Sequence, residues 1–124
     1  MSLPRSLNLL FVSTSVGPLG SGLGGGVELT LQNCGRSLLE RGHRVTIVAP
    51  PGSVLPDFPI TAIAGQLQPT AQTAGRDAWI VMPPDGVLAN MWAYVQQVQA
   101  QYDLIVNFAY DWLPFYLTPF LTRP

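Results

Sequence analysis

Leu7-Asn8-Leu9-Leu10-Phe11-Val12-Ser13-Thr14 is apolar almost without interruption. A strand with one wet face alternates, whereas a parallel strand covered on both faces reads as a continuous apolar run. The pattern therefore predicts a central parallel strand over 7–14. Arg44-Val45-Thr46-Ile47-Val48-Ala49 and Asp103-Leu104-Ile105-Val106-Asn107-Phe108 are of the same type, and Ile60 to Ile63 predicts a short third strand. Between the first two runs the period becomes helical. Val27, Leu31, Cys34, Leu38 and Leu39 share one face, Glu28, Gln32, Arg36 and Glu40 the other, and Gly42 offers a left-handed stop. A second helix is predicted from about Gly86 to Gln101, with Asp85 as its N-cap and Leu88, Met91, Trp92, Val95 and Val98 on one face. The stretch 66–78 reads as a polar loop and 78–82 as a small edge strand or extended run. A short helix begins near Asp111 and is limited by Pro119.

Strand, glycine loop, helix and strand in succession make a βαβ unit. The expected fold is α/β and Rossmann-like, a mostly parallel sheet of four or five strands flanked by helices. The 124 residues suffice for one domain, 1–124. The chain ends at Pro124, where a doubly wound domain heads into its next strand. The expectation is an incomplete domain with an exposed apolar edge, prone to form a homodimer or exchange strands.

Charged residues make up only 10% of the chain, against about 25% in ordinary proteins. So little charge leaves few residues to coat a surface, which fits a domain partly covered by another. With a net charge of −1 and no lysine, no basic stripe is available for nucleic acid, and a Walker loop is excluded. The single cysteine, Cys34, permits no internal disulfide, so a reducing cytoplasm is the expected compartment. The first apolar run is too short to span a membrane. One His, one Cys and no Asp-x-Asp motif imply no metal site.

Half of the twelve glycines fall between Ser15 and Gly26, in Gly17-Pro18-Leu19-Gly20-Ser21-Gly22-Leu23-Gly24-Gly25-Gly26-Val27-Glu28. Three readings compete. Gly20-x-Gly22-x-x-Gly25 has the form of a dinucleotide fingerprint, but the loop is too long for it. The second strand also ends in Ala49-Pro50-Pro51, with no carboxylate for a ribose. A flexible surface loop without a ligand is the second reading. The third is a diphosphate site, since a helix N-terminus offers unpaired N–H groups to an anion.

Gly24-Gly25-Gly26-Val27-Glu28, followed by Leu38-Leu39-Glu40-Arg41-Gly42-His43-Arg44-Val45-Thr46-Ile47-Val48-Ala49-Pro50, resembles the acceptor-side, N-terminal domain of the retaining group 1 glycosyltransferases. The family's pattern is a strand, a loop ending in Gly-Gly-x-Glu, a helix, and Arg-Gly-His-x-Val-x-Val; Asp103-Leu104-Ile105-Val106 continues it. The resemblance is weakest over 53–84. It implies two Rossmann-like domains (a GT-B fold), of which the donor-binding one is absent here, and no cofactor beyond a UDP- or GDP-linked sugar. The chain alone would be inactive. The alternative is a stand-alone flavodoxin-like module that binds a small anion or nucleotide without catalysis.

The resemblance further implies roles. Gly24, Gly25 and Gly26 match the loop that reaches the donor diphosphate, with Gly22 on the acceptor side. Asn107, Tyr110 and Asp111 follow the last strand where relatives carry a His-Asp-Trp or a lone His. This chain has Tyr110-Asp111-Trp112 and no His there. Asp111 is the candidate catalytic residue, orienting or deprotonating an acceptor hydroxyl, or else it N-caps the helix that follows. Glu28 is expected to favour the helix dipole, and His43 to serve as a turn residue.

Overall fold

The computed structural model describes residues 5–68, 77, 84–110 and 112–124. Its strands are β1 (Asn8–Val12), β2 (Arg44–Ala49), β3 (Ile60–Ala62) and β4 (Leu104–Asn107). Its helices are α1 (Gly26–Glu40), α2 (Val87–Val98) and the short α3 (Trp112–Leu117), with 3₁₀ turns after α2 and α3. The strands form one sheet in the order β3-β2-β1-β4, every pair parallel. This is the Rossmann-like α/β architecture that the apolar runs predict.

The continuous apolar character of β1 has its reason in the two layers that cover it. Leu9 and Phe11 face a core built with Leu31, Val45, Ile47 and Phe58, on the α1 side. Leu10 and Val12 face the opposite core with Val48, Val87, Met91, Trp92 and Val95, on the α2 side. Phe11, Leu10 and Val12 are fully buried. The ladder is shorter than the apolar run. It stops at Val12, and Ser13 donates its N–H to the Val48 carbonyl (2.9 Å) before the chain turns away. Ser13, Thr14 and Ser15 stay buried nonetheless, at 2%, 4% and 0% exposure.

Two details of the helices differ from the sequence pattern. Cys34 is exposed, and Gly35 holds the inward position of α1 instead. Asp85 does not cap α2: the N-cap is Gly86, with no side-chain bond, and Asp85 takes positive φ (53°) while its carboxylate accepts from the Asn90 amide (2.9 Å). The C-terminus of α1 follows expectation. Gly42 has φ 87°, its N–H reaches the Leu39 carbonyl (3.0 Å) and the His43 N–H reaches that of Leu38 (3.0 Å), a Schellman closure.

Gln66 pairs with Gly86 in an isolated parallel bridge and thereby ties the exit of β3 to the start of α2. The candidate extended run 78–82 lies outside the described residues. Beside β4, the Ile105 N–H donates to the Pro124 carbonyl (2.8 Å), so the start of that edge is paired within the chain. Among the described residues no helix is long and apolar enough to cross a membrane.

Candidate functional site

From β1 the chain proceeds to β2 on one side of the sheet, while β4 joins β1 on the other. At such a switch point the connections diverge and leave a crevice at the carboxyl ends of the strands. Here it is an open groove of about 670 Å³, lined by Gly26, Val27 and Thr30 of α1 and by Asn107, Phe108, Ala109 and Tyr110 after β4. None of these side chains carries a charge.

The α1 wall begins at Gly25, whose φ of 61° and ψ of −136° no ordinary L-residue adopts easily. Gly25 provides no side-chain cap, and the N–H groups of Gly26 and Val27 have no acceptor among the described residues. A helix start in this condition is a concentration of donors and partial positive charge. Beside it lies Thr14, 4% exposed, its hydroxyl oxygen 3.5 Å from where a Cβ on Gly24 would stand. That hydroxyl has no partner among the described residues.

The opposite wall is shaped by Asn107. Its amide nitrogen donates to the Ala109 carbonyl (2.8 Å) and its oxygen accepts from the Ala109 N–H (2.9 Å). This local clasp bends the chain after β4 and brings Phe108 to Tyr110 across the groove. Phe108 leans on Phe11 (centroids 4.9 Å apart), anchoring the wall in the core. Tyr110 stands at the rim, 63% exposed.

Of the residues singled out from sequence, Gly26, Asn107 and Tyr110 line the groove together. Gly22, Gly24 and Gly25 do not line it, though Gly25 sets the helix start. The Gly22 N–H is directed to a Glu28 carboxylate oxygen (3.3 Å). Asp111 lies outside the described residues. His43 sits in the turn entering β2, at the opposite edge of the sheet, where its Nδ1 accepts from the Leu7 N–H (3.1 Å). Val27, Thr30, Phe108 and Ala109 line the groove without having been singled out. For Thr30 a signal exists: it stands four residues after Gly26, on the same side of α1.

The glycine loop is a built structure rather than a loose one. Leu19 is 3% exposed. Its N–H donates to Ser53 Oγ (2.7 Å), and its carbonyl accepts from the Val54 N–H (2.9 Å). Gly20 has φ 94°, and a Cβ there would run into the Val54 carbonyl oxygen.

Fold and groove together define an α/β protein with an open switch-point crevice between a bare helix N-terminus and an aromatic-rimmed turn. No protein-family model matches the chain, and no curated protein is found similar to it.

Proposed function

We propose that this chain is the acceptor-side domain of an enzyme that moves a sugar from a UDP- or GDP-linked donor to an acceptor hydroxyl with retention. The observation that carries the reading is the meeting of the α1 N-terminus with the turn 107–110 across one groove at the carboxyl edge of a parallel sheet. In this reading the Gly26 and Val27 amides face the donor diphosphate. Donors fixed before the reaction stabilise charge as it builds on the leaving nucleotide, which is the largest contribution a site of this kind makes. Asp111, the residue after Tyr110 in the chain, is the group proposed to orient or deprotonate the acceptor hydroxyl. Groups that hold the sugar and nucleotide ribose belong to a second domain, and the low charge of this one suits a surface that faces a cleft.

Amide NMR titration with UDP and GDP at roughly millimolar concentration tests the first half of the reading. Shifts are expected together at Gly24 to Val27 and at Asn107 to Tyr110. Silence at both walls with either nucleotide would remove the diphosphate assignment. Transfer from UDP- or GDP-linked hexoses by the protein encoded by the complete reading frame tests the second half. Nucleotide binding without transfer by that protein would favour a binding module instead.

A further inference from the structure

We propose that Glu28 is a positioning residue at the start of α1: its carboxylate latches the Gly20–Gly22 bend onto the helix, and its charge limits how much negative charge a ligand can bring to the helix start. The second part rests on the reading of the α1 N-terminus as an anion contact; the first does not.

Glu28 stands in the first turn of α1. Its Oε1 accepts from the Gly20 N–H at 2.7 Å and its Oε2 from the Gly22 N–H at 3.3 Å. Both glycines are left-handed, with φ 94° and 83°. Closely spaced amides in such turns form a concavity suited to an anion. Here the anion is the chain's own side chain, so the loop is closed on an internal ligand.

The position of the latch makes it decisive for the loop. Leu19 is fixed at one end by burial and by its two bonds to Ser53 and Val54, and Gly26 is fixed at the other by α1. Between them, the backbone is held by the local bonds Ser21 N–H to the Pro18 carbonyl (3.2 Å), Leu23 N–H to Ser21 Oγ (3.3 Å) and Gly25 N–H to the Gly22 carbonyl (3.1 Å), by the Ser21 hydroxyl donating to the Pro18 carbonyl, and by Glu28. Only Glu28 ties this stretch to the helix through charge. Glu28 Oε2 and the Thr14 hydroxyl oxygen each lie 3.5 Å from where a Cβ on Gly24 would stand. A multiply charged head approaching Gly26 and Val27 therefore meets a carboxylate in the same first turn, and like charge opposes it.

Hydrogen exchange measured by NMR on the 124-residue chain tests the latch. E28A is expected to speed exchange of the Gly20 and Gly22 amides by about tenfold to a hundredfold, the consequence of losing hydrogen bonds to a charged acceptor. Core amides such as those of Leu10 and Ile47 are expected to keep their rates. E28Q retains an oxygen for the same amides and is expected to fall between E28A and the parent, so it carries the test if E28A loses its fold. Unchanged Gly20 and Gly22 exchange in the variants would overturn the latch. Titration with inorganic pyrophosphate tests the charge: E28Q is expected to bind it roughly twofold to fivefold more tightly than the parent. Equal or weaker binding by E28Q overturns the charge role. Pyrophosphate binding by neither protein overturns the anion reading and the charge role with it, while the exchange rates still decide the latch.

Discussion

Gly35 sits in the middle of α1, where glycine costs about 1 kcal/mol relative to alanine. An exposed glycine there would invite replacement. Gly35 is buried, and a Cβ on it would stand 2.6 Å from Cε1 and Cζ of Phe58 and 3.6 Å from the Phe11 ring. Phe58 is itself only 7% exposed and belongs to the same core, so its ring must shift against packed neighbours. Overpacking of this kind costs about 1–3 kcal/mol, which exceeds the gain in helix propensity. G35A is therefore expected to destabilise the protein by about 1 kcal/mol net, read as a lower urea midpoint at unchanged slope. A raised midpoint would mean that the Phe58 ring swings aside freely. The same residue shows why Cys34 is exposed although Leu31, Leu38 and Leu39 of the same expected face do meet the core. Hydropathy counts Cys34 as apolar and glycine as neutral, yet the inward position needs a small residue because an aromatic ring lies over it.

At the scale of the elements, backbone contact ties the exit of β3 to the start of α2. The Gln66 N–H donates to the Asp85 carbonyl (2.8 Å), and the Val87 N–H donates to that of Gln66 (2.9 Å). These bonds bring Gly65 so close that a Cβ would stand 2.5 Å from Val87 Cα and 2.7 Å from its nitrogen. Those atoms are backbone at the start of a buried helix and do not yield. G65A is expected to cost about 2–3 kcal/mol and to loosen α2, visible as a loss of Trp fluorescence order before global unfolding. A midpoint unchanged from the parent would show that α2 starts independently of β3. Asp85 illustrates the limit of reading caps from sequence. An aspartate ahead of an apolar helix has the right chemistry, but here the chain crosses toward Gln66 and the carboxylate turns to Asn90.

At the scale of the molecule, one sheet divides two apolar cores, and every buried strand serves both. What remains outside is unusually apolar: Leu29, Val54, Tyr110, Phe115, Tyr116 and Phe120 are each at least 60% exposed. With 10% charged residues there is little repulsion to keep copies apart. Exposed aromatic side chains near one another favour association. Concentration-dependent self-association is expected in sedimentation velocity, and F115S with F120S is expected to shift it toward monomer while leaving the thermal midpoint nearly unchanged. A monomer at every concentration would show that these rings are tolerated in water.

What the sequence determined by itself was the order and type of elements, because burial on both faces of a parallel strand and the 3.6-residue period of an amphipathic helix are local patterns written in hydropathy. The parallel α/β class, the end of α1 at Gly42 and the placement of Gly26, Asn107 and Tyr110 at one sheet edge all follow from that order. The tertiary structure alone decided what the side chains do there. Asn107 clasps Ala109, Leu19 buries itself beneath a loop that composition marks as flexible, and Glu28 closes on Gly20 and Gly22. Each of these contacts depends on left-handed turns and on chain segments that meet only after folding. Hydropathy carries no record of such directions, so the groove was legible as a location and its chemistry was not.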